Sequence, residues 1–117
     1  MKRKYKFIRE DEEVYNVRYD QDRGVIKYYS SKKEGQQYIY LTKQQIIMFN
    51  VFLKNGQDIT TKKELFKAIY KIEAMNKQDD VTMNLSICRL RKRIAPVANI
   101  ISKKGVGFIL EFKGVEK

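Results

Sequence analysis

Aromatic and β-branched residues alternate with polar ones through the N-terminal third of the chain, a pattern typical of strands. Four such runs lie at residues 5–7, 14–19, 25–29 and 38–41. Segments rich in turn-forming residues, including 30–35, separate the runs. Because short connections favour antiparallel neighbours, the pattern predicts a four-stranded antiparallel sheet over residues 1–41.

In the middle of the chain the apolar positions repeat with a helical period. Thr42 and Gln45 match a capping box, in which each side chain bonds the backbone amide of the other residue, and Thr61 and Glu64 match a second one. The pattern predicts one helix that ends at Gly56 and another that starts after Thr61. The positions predicted to face the core are Ile46, Phe49, Val51, Phe52 and Leu53 in the first helix and Leu65, Ala68, Ile69 and Ile72 in the second.

A third helix is predicted over residues 81–94. It follows the carboxylates of Asp79 and Asp80, which suit a helix N-terminus, and it stops before Pro96, which disfavours helical geometry in the preceding residue. The segment 73–78 is then a loop. At 100° per residue, one side of this helix is apolar and the opposite side is basic. The apolar side consists of Met83, Ile87, Leu90 and Ile94, and the opposite side of Leu85, Arg89 and Lys92, flanked by Val81, Thr82, Cys88 and Arg93.

A β-hairpin is predicted over residues 97–112, where Gly105 permits a tight turn and apolar residues alternate in the last strand. Residues 113–117 are expected to form a tail. Together with the trihelical segment 42–96, these elements predict one α+β domain of 117 residues. It comprises an N-terminal four-stranded antiparallel sheet, a three-helix core and a C-terminal hairpin.

The chain is strongly basic, with a formal net charge of +11 and a pI near 9.7. This charge favours nucleic acid as a partner before an acidic membrane, and a solvated lysine-rich surface is the alternative. No apolar run approaches the roughly 20 residues of a membrane span, and the basic N-terminus passes directly into an acidic cluster at 10–13. The single cysteine, Cys88, fits a reducing compartment. We therefore expect a cytoplasmic protein without a membrane partner.

The segment 81–110 contains no aspartate or glutamate, although an ordinary solvated helix would carry carboxylates for i,i+4 pairing. In a major groove, Arg89 could bond guanine with both arms of its guanidinium, and Leu85 could touch a thymine methyl group. Asn84 could pair with adenine or bond a phosphate, and Thr82, near the predicted helix start, suits a phosphate. For each residue alone, plain solvation is the alternative. As one surface they favour contact with DNA.

Two lysines, Lys103 and Lys104, lie at the predicted hairpin tip. A lysine there could reach a phosphate or enter a neighbouring minor groove. The alternative is a polar turn, since lysines at exposed strand edges also prevent aggregation.

Catalysis is not expected from this composition. The chain has no histidine for base catalysis or metal binding, and Cys88 therefore lacks a histidine partner. The acidic cluster 10–13 has no companion motif, and no glycine-rich phosphate loop follows a strand. No metal or cofactor is predicted.

The helix and hairpin resemble the winged-helix effector domain of OmpR/PhoB-type transcriptional regulators. The family's recognition helix reads Arg-Thr-Val-Asp-Val-His-Ile-Ser-Arg-Leu-Arg-Lys-Lys-Leu, and residues 81–94 read Val-Thr-Met-Asn-Leu-Ser-Ile-Cys-Arg-Leu-Arg-Lys-Arg-Ile. The family's wing, Arg-Gly-x-Gly-Tyr, appears as Lys-Gly-Val-Gly-Phe at 104–108. The Leu-Thr opening of the first helix at 41–42 and the Thr-Lys-Lys-Glu-Leu start of the second at 61–65 also match. The resemblance covers residues 41–110.

The resemblance implies a winged helix-turn-helix that binds double-stranded DNA through its third helix and its hairpin wing. The implied base contacts are Asn84, Leu85 and Arg89. The residues expected to contact the DNA backbone are Thr82, Arg91, Lys92 and Arg93. The residues expected to contact DNA from the wing are Ser102, Lys103 and Lys104. In some relatives the segment corresponding to 70–80 touches RNA polymerase, and the candidate contacts of this loop are Glu73, Asn76 and Lys77. Since relatives often bind direct repeats head to tail, a homodimer on DNA is also implied.

Several positions depart from the family pattern. Ser86 replaces the usual histidine, Lys104 the wing arginine, and Tyr70 the tryptophan that ends the second helix. Because lysine lacks the planar fork of arginine and reads a narrow minor groove less well, we expect a different sequence preference.

Two functions remain open. The first is a sequence-specific double-stranded DNA-binding regulator, expected to act alone because no phosphoacceptor receiver domain accompanies the module. The second is a winged-helix adaptor whose basic face or N-terminal strands dock RNA polymerase or another regulator.

Overall fold

The computed structural model describes residues 5–8, 13–72, 74–112 and 115–116, and side chains within 14–72 and 74–112. The elements in chain order are β1 (Tyr5–Ile8), β2 (Glu13–Asp20), β3 (Val25–Ser30), β4 (Lys33–Tyr40), α1 (Lys43–Asn55), α2 (Lys62–Tyr70), α3 (Lys77–Ile94), β5 (Ala98–Lys103), β6 (Gly107–Phe112) and β7 (Val115–Glu116). This order confirms the predicted α+β architecture of sheet, three helices and hairpin.

The N-terminal strands pair in chain order as an antiparallel meander, as predicted. The last of them, β4, begins at Lys33, earlier than the apolar run at 38–41 indicated. Polar residues extend the pairing because the β3–β4 turn is tight: Ser30 is in register with Lys33, and the Lys32 amide donates to Ser30 Oγ at 3.2 Å. Backbone pairing, which needs no apolar side chain, therefore reaches through most of the predicted turn at 30–35.

The C-terminal end of the chain returns to the sheet. Strand β7 pairs with β1 antiparallel, with Val115 opposite Lys6 and Glu116 opposite Tyr5, which makes the sheet five-stranded in the order β4-β3-β2-β1-β7. The expectation of a separate tail is wrong for these two residues, because two residues are too few to show an alternation. The remainder of the predicted tail, Lys113, Gly114 and Lys117, lies outside the described residues.

Both predicted capping boxes form. The Gln45 amide donates to Thr42 Oγ1 at 3.2 Å, and the Thr42 amide donates back to Gln45 Oε1 at 3.0 Å. Thr61 and Glu64 make the same pair of bonds, at 3.0 and 3.1 Å. Each box satisfies donors that a helix N-terminus leaves free. As predicted, α1 ends before Gly56, whose φ of 60° suits a residue without a side chain.

The third helix begins four residues earlier than predicted, at Lys77. Asn76 caps it: the Asp79 amide donates to Asn76 Oδ1 at 2.8 Å, and the Asn76 amide donates to Asp79 Oδ2 at 3.0 Å. Asp79 and Asp80 thus lie in the first turn, where their charges suit the helix dipole, instead of preceding it. The prediction failed because an Asn–Asp pair does not match the usual Ser/Thr–Glu/Gln box.

The core lies between the helices, one face of the sheet and the hairpin. The predicted apolar side of α3 is confirmed, since Met83, Ile87, Leu90 and Ile94 are all at most 2% exposed. Phe49, Phe52 and Leu65 are also buried as predicted, whereas the predicted positions Ile46, Val51, Leu53, Ala68 and Ile69 are half-buried. Met48 and Phe66, which were not predicted, are buried as well.

Ile72 does not face the core. It is 55% exposed, because α2 ends at Tyr70 and Lys71 takes a left-handed conformation with φ of 62°. The apolar spacing therefore predicted a second helix that reaches two residues beyond its actual end at Tyr70.

Tyr19 connects the sheet to α1. Its hydroxyl donates to Asn50 Oδ1 at 2.8 Å, and its ring is nearly perpendicular to that of Phe49, with centroids 4.8 Å apart. Burial, with a smaller contribution from the charge of Asp20, raises the pKa of Tyr19 from 10.0 to about 12.

We expect Tyr19→Phe to lower the free energy of unfolding by about 1 kcal/mol at neutral pH, because one hydrogen bond is lost. As pH rises from 10.0 towards about 12, the unfolded chain loses the Tyr19 proton before the folded chain does. The advantage of the wild-type protein should therefore shrink over that interval. Urea unfolding of both proteins at several pH values measures this, and a constant difference would contradict it.

Candidate nucleic-acid interface

The basic side of α3 faces solvent. Arg89, Lys92 and Asn84 are exposed, and Leu85 is 53% exposed. This orientation follows from burial of the apolar side of the helix, because a helix places its two sides at fixed angles. The predicted base-contacting residues therefore share one accessible surface with Lys92.

Thr82 is half-buried and lies in the second turn of α3. Since the helix begins at Lys77 and the dipole effect fades within the first turn, the dipole does not assist a phosphate at Thr82. A phosphate contact from its hydroxyl stays a prediction.

Ser86 is buried at 6% exposure and couples the three helices. Its hydroxyl donates to Gln44 Oε1 of α1 at 3.1 Å, and Gln44 Nε2 donates to the Tyr70 hydroxyl of α2 at 3.3 Å. Two of the family departures, Ser86 and Tyr70, thus meet through one glutamine. Sequence reasoning missed these two linked hydrogen bonds. The only signal in the sequence was that Ser86 borders the apolar side of the helix.

Arg91 of α3 forms two hydrogen bonds with the hairpin. Its Nε donates to the Ile100 carbonyl at 2.9 Å, and its Nη2 donates to Ser102 Oγ at 3.1 Å. A guanidinium has five N–H donors in a rigid fork, so these two bonds leave others for a phosphate. A contact of Arg91 with the DNA backbone stays a prediction, and it is compatible with this structural role, which sequence reasoning did not identify.

Arg93 is exposed at the last turn of α3, and its Nε donates to the Tyr40 carbonyl at 2.8 Å. This bond ties the end of the helix to the end of β4. The predicted contact of Arg93 with the DNA backbone would use the remaining donors of its guanidinium.

The hairpin is held on its other side by the segment before α2. Thr60 and Phe108 form an antiparallel bridge with reciprocal backbone bonds of 2.7 and 2.8 Å. Next to it, a Cβ added to Gly107 would lie 2.6 Å from the Thr60 carbonyl oxygen. A side chain at this position would push the hairpin away from Thr60, which explains why this wing residue is a glycine.

A cleft of about 570 Å³ separates α3 from the wing. Its cationic lining residues are Lys62, Arg91, Lys103 and Lys104, and its polar ones include Asn84 and Ser102. The nearby carboxylate of Asp80 pairs with Lys62 at 2.7 Å. Sequence reasoning missed Lys62, which lies in the first turn of α2 and carries no motif of its own. The cleft offers positive charge and hydroxyl and amide groups to an anionic chain.

The predicted wing residues Ser102, Lys103 and Lys104 are all exposed, as is Val106 at 58%. The tip turn is closed by the Val106 amide, which donates to the Lys103 carbonyl at 2.9 Å. The lysines thus lie at the tip of the hairpin, where they line the cleft opposite Asn84 and Arg91 of α3.

The predicted polymerase contacts lie in the loop before α3 and at the first residue of that helix, Lys77. Lys77 is exposed, and Asn76 is exposed but uses its side chain to cap α3. Glu73 lies outside the described residues. Tyr70 and Ile72, which flank this loop, are 39% and 55% exposed.

The described residues contain no cluster of three or more histidine, cysteine or acidic side chains that could hold a metal ion. Cys88 is half-buried on α3. Among these residues there is also no helix with the length and hydropathy needed to cross a membrane.

Residues 35–110, more than half of the chain, match the family described as "Transcriptional regulatory protein, C terminal". The chain therefore belongs to this family, the C-terminal effector domains of OmpR/PhoB-type regulators. No curated protein is significantly similar to it in sequence.

Solved structures show the same fold. The DNA-binding domain of the response regulator AdeR, in complex with an intercistronic region, is similar with a TM-score of 0.62 at 18% identity, over 82% of this chain and 94% of that one. The DNA-binding domain of Bacillus subtilis CssR is similar with a TM-score of 0.59 at 18% identity, over 80% of this chain and 98% of that one. Both comparisons confirm the winged-helix fold.

We expect Arg91→Lys to lower the free energy of unfolding by about 1–2 kcal/mol, because lysine keeps the charge but cannot make both bonds to β5. The matched control is Arg89→Lys on the exposed side of the same helix, which should change stability by less than about 0.5 kcal/mol. Urea denaturation of the three proteins measures both values. Equal effects of the two substitutions would contradict a structural role for Arg91.

Proposed function

We propose that this domain is a sequence-specific double-stranded DNA-binding regulator, with α3 in the major groove and the wing on the adjacent backbone or minor groove. One observation carries the proposal: Asn84 and Arg91 of α3 line a cleft together with the wing lysines Lys103 and Lys104, and the segment 81–110 that supplies them contains no aspartate or glutamate. The structurally similar AdeR domain was solved in complex with an intercistronic region. Family membership supports the same class of function.

Base reading is assigned to the centre of the exposed side of α3. Arg89 can bond guanine O6 and N7 together, and the adjacent Leu85 supplies an apolar surface for a thymine methyl group. Asn84 lines the cleft, and its amide can bond adenine N6 and N7. A groove about 12 Å wide admits one helix in this way.

Backbone contacts are assigned to the periphery of the same surface. Lys92 and Thr82 would contact phosphates on one side of the groove, and Lys103, Lys104 and Ser102 on the other side of the cleft. The free donors of Arg91 and Arg93 would add charge-assisted bonds. Such contacts fix register and orientation without reading sequence.

A second function, docking of RNA polymerase, is supported by the exposure of Tyr70, Ile72 and Lys77 around the connection between α2 and α3. Aromatic residues are enriched at protein interfaces. This function is compatible with DNA binding, because the loop before α3 lies outside the base-reading surface.

Selection of binding sites from random duplexes, followed by sequencing, tests the main proposal. We expect an enriched motif containing a guanine, and Arg89→Ala should weaken binding to it by about 1–3 kcal/mol while relaxing preference at one base pair. A spaced repeat of the motif would support binding as a homodimer. Unchanged affinity and preference in Arg89→Ala, or no enriched motif, would mean that α3 does not read bases.

Lys104→Ala should behave differently, because a phosphate contact carries no sequence information. Its affinity should fall by a similar factor for every duplex, and the slope of log affinity against log salt should become shallower by about 1. Fluorescence anisotropy with a selected and a scrambled duplex, each at several salt concentrations, measures this. A loss confined to the selected duplex would reassign Lys104 to base reading.

A further inference from the structure

The five-stranded sheet has a second face, turned away from the helices, that carries tyrosines and cations. We call it the outer sheet face and define it by six residues: Tyr15 and Arg18 of β2, Lys27 and Tyr29 of β3, and Tyr38 and Tyr40 of β4. The winged-helix function described above uses none of them.

The strand register places these residues together. Lys27 is opposite Arg18 on one side and Tyr38 on the other, and Tyr29 is opposite Tyr15. Tyr40 follows Tyr38 by two residues and therefore shares its face. The residues between them point the other way: Ile26, Tyr28 and Ile39 are at most 6% exposed in the core.

A β-bulge keeps both β2 residues on this face. Tyr15 and Arg18 are three positions apart, so regular alternation would send them to opposite faces. The register shifts between them, and Asn16 takes a left-handed conformation with φ of 58°. The extra residue restores the outward direction of Arg18 while Val14 stays buried at 1% exposure.

The tyrosines form two pairs of nearly parallel rings. The Tyr15 and Tyr29 centroids are 5.7 Å apart at an interplanar angle of 15°, and those of Tyr38 and Tyr40 are 6.1 Å apart at 14°. The second pair is strongly exposed, at 48% and 58%. Exposed Lys27 lies between the two pairs, and exposed Arg18 lies beside Lys27 on the neighbouring strand β2.

Among the described side chains of β2–β4, the acidic ones are Asp20 and Glu34, and Glu34 is exposed near the start of β4. Asp20 follows Arg18 by two residues, and its carboxylate accepts the amides of Asp22 and Arg23 at 3.0 and 3.1 Å. Arg23 also approaches it at 4.0 Å. Together with the net charge of +11, this leaves a face complementary to an anion that also has apolar, planar groups.

We infer that the outer sheet face binds single-stranded nucleic acid. Aromatic side chains on an open antiparallel sheet stack on unpaired bases, and neighbouring cations follow the phosphates. Duplex DNA offers no unpaired bases for this stacking, because its bases are already stacked on one another. A site for single strands would therefore be separate from the α3 surface.

The experiment uses fluorescein-labelled oligothymidylate and oligouridylate of about twelve nucleotides, a length within the usual range for one such surface. Anisotropy should show binding of the whole domain to at least one of them. Comparison of the affinities for thymidylate and uridylate separates single-stranded DNA from RNA.

The double variant Tyr38→Leu, Tyr40→Leu should bind about tenfold more weakly or worse, because stacking is lost. The matched variant Tyr38→Phe, Tyr40→Phe should keep near wild-type affinity. Since the chain has no tryptophan, quenching of tyrosine fluorescence gives a second readout of stacking.

Arg89→Ala separates this proposal from the duplex function. It should impair recognition of the selected duplex and leave oligonucleotide binding unchanged, so that either function can fail alone. Equal affinity of the Leu and Phe variants, no binding of either oligonucleotide, or loss only in Arg89→Ala would overturn the inference. A changed sedimentation mass of the Leu variant without a change in oligonucleotide binding would instead assign the face to contact between copies of the chain.

Discussion

Burial of the apolar side of α3 determines how the rest of the surface can be used. Met83, Ile87, Leu90 and Ile94 are almost completely excluded from solvent, and burying four such side chains contributes roughly 6–12 kcal/mol. Turning the helix to hide its cations would lose much of that energy. A surface hydrogen bond or ion pair contributes about 1 kcal/mol or less. The basic side of α3 is therefore exposed because the core requires it.

The wing depends on the same helix. Arg91 reaches from the flank of α3 to Ile100 and Ser102 of β5, while Thr60 holds Phe108 from the other side. These contacts set the cleft in which cations from α2, α3 and the hairpin meet. In the proposed complex, phosphate contacts would fix the register and orientation of the domain on the duplex. The hydrogen bonds that position the wing would then contribute to binding along with the lysines at its tip.

Patterns with a strong local cause could be predicted from the sequence. The two Thr-based capping boxes, the apolar side of α3 and the hairpin all follow from spacing within a few residues. What failed depended on context: the Asn76–Asp79 cap replaced the expected residue types, and Ile72 lay beyond a left-handed residue that ended α2 early. Pairing of β7 with β1, and the Gln44 link between Ser86 and Tyr70, join distant parts of the chain and have no local signature.

Amide NMR of the ¹⁵N-labelled domain, titrated with its selected duplex, tests the central claim most directly. The account predicts the largest shifts at residues 82–93 and 102–106, with slow exchange for the selected duplex and smaller, fast-exchange shifts for a scrambled one. Shifts confined to the loop before α3 or to β2–β4, or the same response to both duplexes, would contradict a base-reading role for α3 and its wing.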